Sequence, residues 1–277
     1  MTADVKSVCC FFRKASKMKI TSLIDNVSYV DRIDFQHGLS LYIETEKLNI
    51  LFDMGQDDLF IRNAQNLELD ISKVDIAIIS HGHYDHGGGL KYFLDINKKA
   101  PVYINKYAFG SHYNAAGKYI GLDNGLIDNK RLKFVEKDLE LSAGIRISII
   151  QSDEIKYNIE PCGLTVKTDD GFFNEDFKHE QYLVIEDCGK KILFSGCSHK
   201  GILNIVEKYK PDYLVGGFHF SKIEDESKLK SYASQLENYD TKYFTGHCTG
   251  IKQFEILSEN MSKLNYLPCG DSVFIHN

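Results

Sequence analysis

The sequence predicts an α/β fold in a single domain. Short apolar runs rich in β-branched residues alternate along the chain with stretches whose apolar residues recur at helical spacing. Several strand-like runs end in a glycine turn, and the next helical stretch follows that turn. With 277 residues, 43% of them apolar, and no low-complexity linker, the chain can bury a large core.

The predicted elements follow one another closely from residue 18 onwards. A period of two marks several strands, and Ile202, Ile205, Val206 and Tyr209 mark an apolar helix face. The predicted strands are Ile20–Ile24, Ser40–Glu44, Asn49–Phe52, Asp75–Ser80, Val102–Asn105, Ile145–Gln151, Tyr182–Glu186, Lys191–Ser195, Tyr213–Val215, Tyr243–Thr245 and Ser272–Ile275. The predicted helices are Asp57–Asn66, Leu90–Asn97, Ile202–Tyr209, Lys222–Asn238 and Lys252–Asn260.

Residues 1–17 precede the first predicted strand. Their apolar stretch is shorter than the roughly 7–15 residues of a signal-peptide core, and no small-residue cleavage site follows it. We expect a mobile leader or an upstream-start artefact over residues 1–17, and the domain over residues 18–277.

Charge and cysteine content exclude several classes of protein. A net charge of −6 argues against nucleic-acid binding, which usually needs a basic face. No apolar run approaches the roughly 18–20 residues of a membrane span. Seven irregularly spaced cysteines do not suit a disulfide framework, which favours a cytoplasmic location. The expected partner is a small-molecule substrate, and the oligomeric state stays open.

The strongest functional signal is SHGHYDHGGG, residues 80–89, which follows an apolar strand-like run. In an extended segment His81 and His83 lie on one side, because side chains alternate with a period of two. A turn after Tyr84 can then direct Asp85 and His86 towards a second position. These ligands predict one or two divalent metal ions, zinc first, with manganese, iron or magnesium as alternatives.

HGHYDH resembles the HxHxDH signature of the metallo-β-lactamase superfamily. FDMG, residues 52–55, resembles the first motif of that family, and TGHCTG, residues 245–250, resembles its last metal motif. The resemblance extends over residues 18–277 and is strongest to a branch that contains an archaeal dihydropterin-forming synthase. It implies a four-layer αβ/βα sandwich, in which two mixed sheets pack together, helices lie outside and the metals sit at one edge.

The resemblance also assigns roles at other strand ends. Asp53 in FDMG would orient a metal-bound histidine, or else cap a helix. His247 in TGHCTG would bind metal. Cys197 in SGCSHKG stands where the family usually has an aspartate that bridges two metals. It is either a thiolate ligand or a small buried residue.

The resemblance also implies one further histidine ligand between the first cluster and the bridging position. His179 lies 18 positions before Cys197 and fits that order, whereas His199 would reach back from the Cys197 loop. We prefer His179. His219 is expected at the mouth of the site as ligand, acid/base or substrate contact, and His112 as a pocket residue. His37 and His276 fit no ligand pattern.

The sequence therefore predicts a metal-dependent hydrolase-type enzyme for a small, phosphorylated or heterocyclic substrate. Asp85 would bind metal and accept a proton from water, and His219 or His199 would donate one to the leaving group. The aromatic-rich segment 103–125 is the predicted specificity element, or else a loop that packs its own aromatics. The alternatives are a dihydropterin-forming synthase and a non-catalytic metal or ligand sensor.

An internal echo links the two halves of the chain. ILFDMG (50–55) and ILFSGC (192–197) each precede a predicted helix, a strand and then a histidine. If this is a true repeat, both halves direct the C-terminal ends of their strands into one shared site.

Overall fold

A computed structural model describes residues 17–160 and 162–276; the predicted leader, apart from Lys17, lies outside this range. The strands are β1 (Lys17–Ile24), β2 (Ser40–Glu44), β3 (Asn49–Phe52), β4 (Ile76–Ile79), β5 (Val102–Asn105), β6 (Ser111–Tyr113), β7 (Leu132–Val135), β8 (Leu139–Ser142), β9 (Ile145–Ser148), β10 (Thr165–Thr168), β11 (Gly171–Asn174), β12 (Tyr182–Asp187), β13 (Lys190–Phe194), β14 (Tyr213–Val215), β15 (Lys242–Thr245), β16 (Leu264–Tyr266) and β17 (Ser272–His276). The helices are α1 (Leu59–Asn66), α2 (Tyr84–Gly87), α3 (Leu90–Ile96), α4 (Ile202–Tyr209), α5 (Glu226–Glu237) and α6 (Ile251–Ser258). None of the helices in the described part of the chain is long and apolar enough to cross a membrane.

Two seven-stranded mixed sheets form the centre of the fold. The strand order is β17-β1-β2-β3-β4-β5-β7 in the first sheet and β16-β15-β14-β13-β12-β9-β8 in the second. Strands β3 and β13 are each antiparallel to one neighbour and parallel to the other. The two ILF segments of the internal echo are these central strands, so the topology agrees with a repeat.

Three apolar clusters define four layers. One packs α1 and α3 on the outer face of the first sheet, through residues such as Phe60, Phe93 and Ile79. Another packs α4, α5 and α6 on the outer face of the second sheet. The third lies between the sheets, where Phe52 and Phe194 meet with ring centroids 6.0 Å apart. The predicted αβ/βα sandwich is confirmed.

Every predicted strand and helix overlaps an element of the structure, but six strands were missed. They are β6, β7, β8, β10, β11 and β16. β10 and β11 form a three-stranded sheet with β6, and much of this sheet is exposed, so burial imposes no apolar alternation on its sequence. The fourth predicted helix begins later than expected, at Glu226, because Asp225 caps it by accepting from the Ser227 and Lys228 amides.

Candidate metal centre

The candidate site lies where strands of both sheets end. β3 runs parallel to β4 in the first sheet, and β13, β14 and β15 run parallel to one another in the second. The C-terminal ends of parallel strands meet at one edge, which is where α/β proteins place their sites. The residues that follow these ends are Asp53, His81, Cys197, His219 and His247.

The HGHYDH segment changes conformation at His83. His83 has extended backbone angles and precedes the single helical turn α2, which carries Asp85 and His86. His81 and His83 therefore precede the turn and the other two ligands follow on it. Gly82 lies against the backbone of Ala108, and a Cβ atom there would collide with the Ala108 carbonyl oxygen. This glycine allows segment 103–125 to pack directly on the metal-binding loop.

Hydrogen bonds fix which ring nitrogen of His86 and His247 carries the proton. His86 Nδ1 lies 2.7 Å from Asp53 Oδ2, and His247 Nδ1 lies 2.9 Å from Asn26 Oδ1. Since these oxygens are acceptors, each Nδ1 is the donor and each neutral ring presents a lone pair at Nε2. The two Nε2 atoms are only 3.1 Å apart. Two facing lone pairs require a cation, or an extra proton, between them.

Cys197 and Asp85 lie beside His86 and His247. These four residues form what is called here the second ligand set. Cys197 Sγ lies 3.1 Å from His86 Nε2, and Asp85 Oδ2 lies 3.4 Å from His247 Nε2. Burial, followed by the neighbouring Cys248, raises the pKa of Cys197 well above its usual range. A thiolate at this position therefore needs a metal cation beside it. Burial opposes ionisation of Asp85, but the nearby histidines outweigh it and lower the pKa of Asp85 well below its usual value.

The pKa of His86 shifts in the opposite direction from that of His247. Burial alone would lower the pKa of His86, but the carboxylates of Asp53 and Asp85 raise it. Burial lowers the pKa of His247 to about 3. In the absence of a cation, the extra proton of the facing pair would therefore reside on His86. A metal ion held by His86 and His247 would take the place of that proton.

A first ligand set is formed by His81, His83 and His199, whose ligand atoms lie within 4.8 Å of one another. Ser80 Oγ lies 2.7 Å from Asp53 Oδ2, to which it can only donate, and 2.8 Å from His81 Nδ1. His81 Nδ1 is therefore protonated, and its Nε2 lone pair faces His199 Nε2 at 3.3 Å. Burial, and next the neighbouring imidazoles, holds the pKa of all three histidines well below the usual value.

His179 lies on the other side of His83. Its Nδ1 accepts a hydrogen bond of 2.9 Å from the Gly82 amide, so the neutral ring carries its proton on Nε2. That Nε2 is 3.5 Å from Glu175 Oε1. A protonated nitrogen cannot bind a metal, so this geometry favours His199 over His179 as the third ligand of the first set. The sequence preference for His179 stays a prediction.

Buried carboxylates hold the two ligand loops from the second sheet. Glu180 accepts from the His199 amide at 2.7 Å, and Asp25 accepts from the His247 amide at 2.6 Å. Tyr266 also donates to Asp25, at 2.9 Å. Burial raises the pKa of both carboxyl groups, and that of Asp25 rises to about 6. The sequence indicated no role for either residue, although Asp25 directly follows β1 and Glu180 directly follows His179.

His37 also lies at the candidate site. Its Nε2 lies 3.1 Å from Asp85 Oδ2, and its ring centroid is 4.8 Å from that of His247. The side chain is 54% exposed, so it forms part of the outer rim of the site. The sequence placed His37 outside any ligand pattern, because it lies more than 40 residues before the HGHYDH segment.

His219 lies beside the first ligand set. Its ring centroid is 4.2 Å from that of His199, and its Nδ1 is 3.4 Å from Cys162 Sγ. His219 has a φ of +58°, an unusual value for this residue type that is often found at functional sites. A pocket with about 10 Å³ of free volume, room for one water molecule, borders both histidines. Glu160, Phe220 and Tyr232 also line it.

Comparisons with known proteins find both similar sequences and similar structures. A family model described as the metallo-beta-lactamase superfamily matches residues 33–247. The crystal structure of Tm1679, described as a metal-dependent hydrolase of the beta-lactamase superfamily, has a TM-score of 0.80 with this chain. The two chains are 27% identical, and the match covers 94% of this chain and 100% of that one.

Two relatives from Methanocaldococcus jannaschii resemble nearly the whole chain. The uncharacterized protein MJ0448 is 32% identical over 251 residues, which covers 87% of this chain and 94% of the relative. The 7,8-dihydropterin-6-methyl-4-(beta-D-ribofuranosyl)-aminobenzene-5'-phosphate synthase is 30% identical over 278 residues, which covers 90% of this chain and 94% of the relative.

Proposed function

Because the chain belongs to the metallo-beta-lactamase superfamily, we propose that it uses two divalent metal ions to hydrolyse an ester, lactone or phosphoester bond in a small molecule. The main observation that supports bound metal is the facing pair of His86 Nε2 and His247 Nε2, which lie 3.1 Å apart. Both rings are already protonated at Nδ1, so both offer a lone pair to the same point. A metal cation satisfies this arrangement better than any protein group nearby.

The donor chemistry of the two ligand sets suits zinc-like ions. His81, His83 and His199 offer three neutral imidazoles to the first ion. The second ion would be held by the remaining set, which combines imidazole, thiolate and carboxylate. Zinc accepts all three ligand types, whereas magnesium and calcium prefer oxygen alone. We therefore propose zinc, with manganese or iron as alternatives.

Several residues of the chain contribute directly to the chemistry of the site. Divalent ions bound there would polarise a carbonyl or phosphoryl oxygen and make water more acidic. Asp85 stays ionised, so its carboxylate can accept a hydrogen bond from water and orient it. Burial lowers the pKa of His219 to about 4, so this ring is neutral near pH 7. We propose that His219 forms a hydrogen bond with substrate at the mouth of the site, or with a water molecule in the adjoining pocket.

Metal analysis and activity measurements on one set of variants test the proposal. Protein purified without chelator should contain close to two divalent ions and hydrolyse members of a panel of p-nitrophenyl esters, lactones and phosphodiesters. Asp85→Ala should lose activity and the second ion. Asp128→Ala, which changes an exposed residue outside both ligand sets, is the control and should retain both. Full metal content and activity in Asp85→Ala would refute the assignment.

The synthase relative gives a specific reason to test a second reaction. Its name describes the formation of a phosphorylated dihydropterin compound, and it is 30% identical over 90% of this chain. We propose this synthase-type reaction as the second candidate, in which the same metal centre polarises a phosphorylated heterocyclic substrate. Product analysis with the two halves of that compound, an activated dihydropterin and a phosphorylated aminobenzene riboside, separates the two reactions. Two bound ions without turnover in either assay would support a sensor.

A further inference from the structure

A third polar cluster adjoins the metal centre on the side of the small three-stranded sheet. It comprises His112 on β6, Glu175 after β11, and His179. His112 Nδ1 lies 2.6 Å from Glu175 Oε2, and both side chains are only 2% exposed. Burying a carboxylate and an imidazole costs free energy, which the hydrogen bond between them offsets. The proposed hydrolase mechanism assigns no role to either residue.

The hydrogen bond to Glu175 fixes the chemical character of His112. A carboxylate only accepts, so His112 Nδ1 is the donor and the neutral ring has its lone pair at Nε2. His112 Nε2 is buried and has no hydrogen-bond partner among the described residues. A carboxylate that orients a histidine in this way is a recurring device for presenting an acceptor nitrogen.

A third metal ion does not fit this cluster. Glu175 contacts the Nδ1 edge of His112, so it cannot also bind an ion held at Nε2, on the opposite edge of the ring. His179 is unsuitable as well, because the Gly82 amide occupies its Nδ1 lone pair and leaves the proton on Nε2. The available atom is therefore a single acceptor, His112 Nε2.

His112 is close enough to the first ligand set to touch a molecule bound there. Its ring packs edge-on against His83 with centroids 5.6 Å apart. Both residues belong to a group whose ligand atoms lie within 4.8 Å of one another. A small molecule held by an ion at His83 can therefore place one of its atoms against His112.

Gly110 keeps the acceptor edge of His112 clear. A Cβ atom at this position would lie 3.0 Å from both Cε1 and Nε2 of His112. Contacts this short are rarely tolerated, so a side chain here would crowd the nitrogen. Gly110 has no positive φ, and its backbone therefore does not itself require glycine.

We propose that His112 is a specificity-determining residue, whose Nε2 accepts a hydrogen bond from an N–H or O–H group of the substrate. Glu175 is the positioning residue that orients it. The preferred substrates are those with an amide, amine, ring N–H or hydroxyl group next to the group held by the metals. This inference rests on the proposed function, because it requires a ligand bound at the first metal position.

Two hydroxamates test the inference without any need for turnover. Acetohydroxamate chelates divalent ions through two oxygens and carries an N–H group, whereas N-methylacetohydroxamate chelates identically and lacks it. Titration of the cobalt-loaded protein with each compound gives two dissociation constants. The wild-type protein should bind acetohydroxamate about three- to tenfold more tightly, the usual effect of one hydrogen bond.

Two variants remove the acceptor in independent ways. His112→Leu keeps a similar volume but has no acceptor, and Gly110→Ala crowds Nε2 while leaving the imidazole in place. Both should bind cobalt normally and lose the preference. Ser111→Ala, next to His112 on the same strand, is the control and should keep it. If His112→Leu does not fold, Gly110→Ala decides.

The outcomes separate this inference from the proposed function. Cobalt-loaded wild-type protein without a preference for acetohydroxamate, or a preference that survives both variants, would overturn the role of His112 alone. Failure to bind cobalt would overturn the proposed function and this inference together. Nitrogen-15 NMR of labelled histidines adds a ligand-free check. A proton on Nε2 of His112 rather than on Nδ1 would also refute the inference.

Discussion

Replacing Asp53 with Asn should weaken the metal centre through hydrogen bonding alone. Asp53 is fully buried, and it accepts from the Ser80 amide, the Ser80 hydroxyl and His86 Nδ1, each at 2.7 Å. Asn has the same shape, but one of its two ends is an NH₂ donor. If the amide oxygen stays on the Ser80 amide, the NH₂ group faces His86 Nδ1. The proton of His86 must then move to Nε2, which is the atom that should bind metal.

The expected loss of metal affinity depends on how many hydrogen bonds separate Asp53 from each ligand set. Loss of such an orienting partner typically reduces metal affinity about 10- to 100-fold, or about 1.4–2.7 kcal/mol. His86 contacts Asp53 directly, so the second ion should lose affinity near the upper end of this range. His81 contacts Asp53 only through Ser80, so the first ion should lose less.

Chelator competition monitored by cobalt absorption measures both affinities. Asp57→Asn is the matched control on the same loop, because the amide oxygen of Asn can still accept from the Leu59 amide. This control should retain the wild-type affinities, and far-ultraviolet circular dichroism should show that both variants fold. An Asp53→Asn protein whose second ion binds within twofold of wild type would refute the proton assignment at His86.

Three further predictions follow from individual contacts. Cys197→Ala should lose the second ion before the first, and Cys197→Asp should keep a metal site; wild-type cobalt protein should show a sulfur-to-metal charge-transfer band in the near ultraviolet, and absence of that band would contradict thiolate ligation. Gly82→Ala should destabilise the fold by about 1–3 kcal/mol because its Cβ meets the Ala108 carbonyl oxygen, whereas exposed Gly125→Ala should change the melting temperature little. The pKa of Asp25 is raised from 3.8 to about 6 in the fold, so the native state binds more protons than the unfolded state between these values. Stability of the metal-free protein should therefore fall as pH rises from about 4 to 6, by up to about 3 kcal/mol, and urea unfolding of Asp25→Asn should lack this slope.

The sequence alone determined the features that depend on local spacing. The apolar runs located the central strands, because strands buried on both faces need continuous apolar residues. HGHYDH indicated a metal site because four ligand-type side chains fall within six residues of a strand end. The resemblance of the segments around Cys197 and His247 to motifs of the family led to the prediction that both residues lie near that site.

Only the tertiary structure decided which protons, partners and neighbours these side chains have. Asn26, 221 positions before His247, sets the proton on that ring, and Gly82 contacts His179 across 97 positions. Strands β10 and β11 of the small three-stranded sheet, which carry no clear sequence pattern, bring Glu175 to His112. Hydrogen bonds act over about 3 Å and depend on the packing of distant segments. Residue spacing specifies which groups can bind a metal, but the folded contacts decide which nitrogen offers its lone pair.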